Sequence, residues 1–344
     1  MTDYNINERW SLLDRAKAVT PHYQVMKLLN VAGFMQEVPA TTANMGLMHR
    51  FSRDREMAAS TNRAFYTGVG KTKMSKQVIY EHCMLKERRR EIDEDELDTL
   101  AADEAGKAEV LRQQDEAHIT KLGEDIVYAV FNGAVTDGGE HIRGLKSRLA
   151  SLNPSGTGNG LNNVRSAGNT NASYNTSIYV VEWNLNGGAY LFVPPNNMGG
   201  SMNGVVARNK GKEPKLDASD STLTYYVYVA QFKAWVGLAI GDNLKIARVT
   251  NINSQLGASK NFIDANVDNM LISVLNDGHF DRARTRIYVN QDIMTQIEVY
   301  GKDKTNMNYA GSAQIFGTDV PTMRSIPIRM LDNVIIPSNE TVVS

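Results

Sequence analysis

Two stretches of this 344-residue chain concentrate β-branched and aromatic residues: Ser177-Ile-Tyr-Val-Val-Glu-Trp183, and Thr224 through Ile252. The second reads TYYVYVAQFKAWVGLAIGDNLKIARVTNI, partly alternating and then continuously apolar, with Gly241-Asp242-Asn243 as its turn. That pattern predicts consecutive strands folded back at the turn and buried on at least one face. The stretch holds almost no group suited to acid–base or nucleophilic chemistry. Its product is expected to be a shape.

Elsewhere the periodicity is helical or absent. Residues 7–34 predict two short helices broken at Pro21, with Leu12, Leu13, Ala16 and Val19 on one and Val25, Leu28, Leu29 and Ala32 on the other. From Phe51 to about Met84 the chain is polar with strand-like ends and a Gly68-Val69-Gly70 tip, the composition of a long hairpin or loop that needs a partner surface. The charge then inverts, Lys86-Glu-Arg-Arg-Arg90 preceding Glu91-Ile-Asp-Glu-Asp-Glu-Leu-Asp98. Acids gathered there suit a helix start, and helix formers continue to about Asn132. The apolar stripe of that helix is thin (Leu97, Leu100, Ala101, Ala108, Leu111) and improves only at Leu122, Ile126 and Val130. So narrow a stripe predicts a helix lying across a sheet or along a neighbouring subunit. A Gly, Ser and Asn loop spans 133–176. Helices are expected over 264–275 and 292–300, and strands over 286–290, 326–331 and 334–336. The order is α+β.

Composition narrows the classes. Hydrophobic residues at 42% and charged residues at 22% are those of an ordinary globular chain. A net charge of −1 argues against a dedicated nucleic-acid binder but allows a surface that faces packed DNA. One cysteine, Cys83, leaves no intramolecular disulfide framework. The polar start MTDYNINERW reads as no signal peptide, and no apolar run reaches membrane-spanning length. The expected setting is a cytoplasm, or something assembled there.

Candidate chemistry is sparse. Gly68-Val-Gly70-Lys71-Thr72 imitates the end of a P-loop, but Phe65 stands where the first glycine belongs. Gly156-Thr-Gly158-Asn-Gly160 lies in a polar loop, without the strand–helix frame of a dinucleotide site. The six histidines are scattered, and Cys83 beside His82 lacks further ligands at zinc spacing. No Gly-x-Ser-x-Gly elbow occurs. No catalytic, cofactor or metal site is therefore expected, and no enzyme. The 91–98 carboxylates read as a solvated helix start or an intersubunit salt-bridge patch.

The order of parts resembles the major capsid proteins of a short-tailed (podovirus-like) bacteriophage family, built on the HK-97 type fold. The resemblance rests on Asn175-Thr-Ser-Ile-Tyr-Val-Val-Glu-Trp183, Val193-Pro-Pro195, Trp235-Val-Gly-Leu-Ala-Ile240, Ile246-Ala-Arg-Val249 and Arg286-Ile-Tyr-Val-Asn290. It implies an N-terminal arm at 1–45, an extended loop at 46–84 and a peripheral domain at 85–139 with a spine helix at 98–132. An axial domain at 140–325 and a return to the peripheral domain at 326–344 complete it. It further implies hexamers and pentamers in an icosahedral virion shell around double-stranded DNA, assembled in the cytoplasm of a bacterial host. A scaffolding protein, a portal and a decoration protein are the other implied partners, with no membrane and no cofactor. Arg53, Arg55, Arg63, Phe65, Tyr66, Lys71 and Lys73 of the loop, with Glu94 and Asp95, are the candidate intersubunit contacts. No covalent crosslink is expected. The competing readings are an encapsulin-type compartment of the same fold and, far behind, a cytosolic α+β enzyme.

Overall fold

The computed structural model describes residues 34–56, 60, 62–71, 74–101, 103–134, 141–152, 163–195, 205–217, 222–301, 313–315 and 318–344. Residues 7–33 of the two expected helices, the glycine-rich stretch 156–160 and Lys73 lie outside them.

Two sheets organise the chain. The first joins β1 (Ala40–Thr42), β7 (Ala189–Val193), β9 (Thr224–Ile240) and β4 (Met84–Asp93) in that order, with β8 (Val205–Leu216) also on β9. The second runs β14 (Thr322–Met323), β15 (Ile326–Met330), β11 (Thr285–Val289), β6 (Asn175–Glu182), β10 (Ile246–Asn253), β5 (Val164–Ser166). Separate antiparallel hairpins pair β2 (Met48–Glu56) with β3 (Ser75–His82) and β12 (Ala313–Ile315) with β13 (Thr318–Val320). The principal helices are α1 (Glu94–Leu100), α2 (Glu104–Asn132), α3 (Val267–Asp277) and α4 (Gln291–Gly301).

The even-numbered residues of β9 and the second half of α2 share one core. Phe232, Ala234, Val236, Leu238 and Ile240 meet Ile119, Leu122, Ile126, Val130 and Phe131 there, together with Tyr179, Trp183 and Tyr288 from the second sheet. The opposite face of the second sheet packs on α3 and α4 through Val267, Leu271, Val274, Ile293 and Ile297. Of the thin stripe, Leu97, Leu100 and Ala101 belong to α1 and its end, and on α2 it is the second half that reaches the apolar core.

Three expectations change. β9 and β10 do not pair with each other. β9 lies between β4 and β8 and its end pairs with β7, whereas β10 pairs with β6 and β5, so the chain changes sheets at Gly241. A Cβ on Gly241 would stand 2.7 Å from the Cα of Gly187, so this close crossing needs a glycine. The acid cluster does not start one long helix. Its first part, Glu91–Asp93, ends β4, and two N-caps follow, Asp93 accepting from the Asp95 N–H and Asp103 from the Gly106 N–H. Val334–Ile336 is a turn, because Asp332 accepts from the Val334 N–H through its side chain and from the Ile335 N–H through its carbonyl. β8 and β9 join the sheet under α2, while β15 pairs with β11 in the other.

Candidate assembly interface

The base of the β2–β3 hairpin is held on the face of the first sheet that turns away from α2. Tyr190, Phe192 and Ala239 form a small apolar cluster there with Ala43 and Cys83, and Phe51 packs against it. His49 bonds the Tyr190 hydroxyl at 3.1 Å and stacks on Phe192, its ring centroid 5.0 Å away. Burial lowers the His49 pKa, favouring the neutral ring. The Arg53 guanidinium donates to the carbonyls of Ile240 (2.8 Å) and Gly241 (2.6 Å), where β9 ends. Burial pulls its pKa down, with Asp242 and Glu81 opposing. From β3, Glu81 pairs with Arg148 at 2.8 Å, both largely buried. Burial pushes the Cys83 thiol up to about 12, which removes it as a nucleophile.

The tip has none of this. Residues 62–71 are exposed, and Phe65 and Tyr66 are 91% and 104% exposed, with Val69 at 55%. Two large rings thus stand almost wholly in water on a firmly based hairpin.

Exposed apolar side chains also occur among the described residues near the start of β9 and at the end of α1. Leu216, Leu223, Tyr226 and Leu100 are 50–59% exposed. Leu216 and Tyr226 lie on the α2 side of the sheet, the side from which Lys212 covers the Tyr226 ring at 4.7 Å and pairs with Glu94 at 2.6 Å. The segment from Glu94 to Glu104 carries six carboxylates. Lys212 reaches Glu94, and Lys107 pairs with Asp98 at 2.5 Å. Asp95 and Glu96 are exposed and make no ion pair among the described residues.

The candidate contacts therefore divide. Arg63, Phe65, Tyr66 and Lys71 stand together on the exposed tip, and Asp95 is exposed on α1. Arg53 and Glu94 are already engaged within the chain. Arg55 is in β2, its side chain outside the described residues, as is all of Lys73. Replacing Arg53 by Met removes two hydrogen bonds from a charged donor, each contributing roughly 1.5–3 kcal/mol. Faster amide exchange in β2 and β3, with β10 unchanged, is the expected result.

Sequence reasoning missed Leu100, Leu216, Leu223 and Tyr226 as surface residues, since apolar residues in strands and helices read as core. It also missed a buried ionic lock. Arg248, 1% exposed, donates from Nη2 to Glu340 at 2.9 Å and from Nε to Ser177 at 3.0 Å. Lys146 Nζ stands 3.2 Å from the other Glu340 oxygen, near enough for charge pairing though off the hydrogen-bond direction. Among the described residues no helix is long and apolar enough to cross a membrane, and no His, Cys, Asp and Glu cluster has metal-binding geometry.

A family model described as major capsid protein GP7 matches residues 22–344. No curated protein matches the chain. Among solved structures, that of bacteriophage Epsilon15 is similar at 19% identity and a TM-score of 0.58, over 85% of this chain and 84% of its own. The bacteriophage JBD30 capsid is similar at 10% identity and a TM-score of 0.48, over 92% and 95%. The SrpI encapsulin complex of Synechococcus elongatus gives 10% identity and a TM-score of 0.39, over 65% and 89%.

Proposed function

The chain belongs to the major capsid protein GP7 family, and we propose that its β2–β3 hairpin is the element by which one copy overlies and holds the next. It has the α+β fold of HK-97 type capsid proteins and is a structural shell protein of a tailed phage. In this reading the copies gather as hexamers and pentamers in an icosahedral shell around double-stranded DNA. Assembly takes place in the bacterial host's cytoplasm with a scaffolding protein, a portal and, on the finished shell, a decoration protein. The product is position, with no reaction catalysed.

The domain division in this reading follows the sheets. α2 with the first sheet makes the peripheral body, and the second sheet with α3 and α4 makes the axial body around each symmetry axis. The stretch before β2 serves as an arm. One observation carries the assembly reading: a hairpin anchored at its base by Arg53, His49 and Glu81 holds two aromatic rings in open solvent at its tip.

Burying each ring on a neighbour contributes on the order of 1.5–3 kcal/mol. Phe65→Ala with Tyr66→Ala should then weaken each contact by on the order of tenfold or more. Because a shell repeats the contact at every subunit, the yield of closed particles, read by sedimentation after co-expression with the scaffolding protein, should fall to near zero. Shells at the unaltered yield would overturn the reading. Nucleic-acid content separates the two compartments: particles purified from infected cells should hold DNA, and protein cargo instead would make the chain an encapsulin-type compartment.

A further inference from the structure

We propose that the cleft between the end of α3 and the β14–β15 turn binds a small organic anion, an apolar stem carrying a phosphate or carboxylate head. The site uses no residue of the β2–β3 hairpin, so it stands independently of the assembly reading.

The cleft encloses about 190 Å3. Its floor is apolar: Leu275 and Ile326 belong to the core between α3 and the second sheet, and Phe280 packs against that core. Its rim is cationic, with Arg282, Arg324 and His279 beside the Asn276 amide. Nη1 of Arg324 donates to the Asn276 side-chain oxygen at 3.4 Å, which ties the two sides of the cleft together. His279 is fixed twice, its Nδ1–H donating to the Asp277 carbonyl at 3.1 Å and its own carbonyl accepting from Lys245 at 2.7 Å.

Charge and size select the occupant. The acids beside the rim already have bases: Asp277 pairs with Arg165 at 2.6 Å and Asp281 with Arg284 at 3.4 Å. Glu182, which accepts from the Asp281 N–H, pairs with Lys245 at 3.2 Å. Arg282 and Arg324 make no ion pair among the described residues. Two guanidiniums on one cleft, with no carboxylate of their own, match the oxygens of a phosphate or carboxylate head. A dry cavity of ~150 Å3 admits benzene, so this cleft has room for a ring beneath that head.

Backbone strain falls at the same place. Arg324 and Ser325 are the central pair of the two-residue turn closed by the partners Met323 and Ile326, with φ of 50° and 67°. Positive φ at both positions makes a type I′ turn, which favours Asn-Gly. A long cationic side chain at the first position therefore costs stability and adds nothing to the core. His279 is left-handed as well, at φ 48°. Strained residues concentrate at ligand clamps, and here they supply two of the three cationic side chains of the rim.

Isothermal titration of the full-length, unassembled subunit tests this with phenyl phosphate, 3-phenylpropionate, inorganic phosphate and benzyl alcohol. At least one aryl anion should bind saturably, and about tenfold or more tighter than inorganic phosphate or benzyl alcohol. The tighter of the two aryl anions identifies the head. Arg282→Ala should weaken that binding roughly tenfold or more. Its side chain is exposed, so the unfolding midpoint should stay where it is. Arg324→Asn with Ser325→Gly separates ligand from fold, since it installs the pair that the turn prefers. Binding should be lost while the denaturant midpoint rises. The proposal is overturned if neither aryl anion saturates, if inorganic phosphate binds as tightly, or if either variant keeps the full affinity. A lower midpoint for the doubly substituted turn would show Arg324 serving the fold instead, and would also overturn it.

Discussion

Removing residues 57–74 and joining Glu56 to Ser75 through an Asn-Gly turn is expected to leave a folded subunit that forms no shells. Glu56 and Ser75 are direct partners in the antiparallel register, so a two-residue turn closes the hairpin without changing the ladder below it. His49, Arg53 and Glu81, which hold the base, are untouched. The described residues within the removed stretch are exposed, so the subunit loses almost no buried surface and its unfolding free energy should change by less than about 1 kcal/mol. Assembly loses its whole intersubunit lever. Denaturant unfolding of the isolated subunit and sedimentation of co-expressed product read the two effects separately. A subunit that unfolds would make the loop structural, and a normal yield of shells would make it dispensable.

Glu340→Ala should have the largest effect on the subunit itself. Glu340 and Arg248 are 2% and 1% exposed, and the alanine leaves a buried guanidinium with no carboxylate. Removing one member of such a pair costs roughly 3–5 kcal/mol, because the remaining charge stays desolvated. Packing adds to this. Glu340 also accepts from the Ser177 hydroxyl, and its backbone N–H bonds the Asn175 carbonyl, so the acid fastens residues 338–344 to the second sheet. Replacing both charges, with Arg248→Met and Glu340→Leu, should recover much of the loss, since a well-packed apolar pair needs no counter-charge. Denaturant titration of the four members of this double-mutant cycle gives the coupling. A single alanine within about 1 kcal/mol of the unaltered chain would show that water reaches the site.

How much of this was legible in the sequence varies by element, with a physical reason each time. The strands at 177–183 and 224–240 are plain in the sequence because β-branched and aromatic residues dominate them. Their sheet membership is not, because Gly241 marks a change of sheet where composition suggests only a hairpin turn. β4 is nearly invisible: Lys86 to Asp93 alternates charges on both faces. On one side Arg88 pairs with Asp125 of α2 at 2.6 Å, and on the other Glu87 pairs with Lys233 and Glu91 with Lys215. A strand satisfied by ion pairs on both faces carries no apolar alternation to read. The exposed tip was legible from its glycines and from its lack of acids. The exposure of Leu216 and Tyr226 was not, since an apolar residue in a strand reads as core. The Arg248–Glu340 pair joins residues 92 apart, and nothing local announces it.

Whether a tip anchored in one subunit is completed by the next is measured directly by an electron cryo-microscopy reconstruction of the assembled shell. The expected result is an icosahedral particle in which density for residues 62–71 of each subunit lies against a neighbouring subunit. Shells in which that tip ends in solvent, or product that never passes beyond single subunits and small rings, would contradict it.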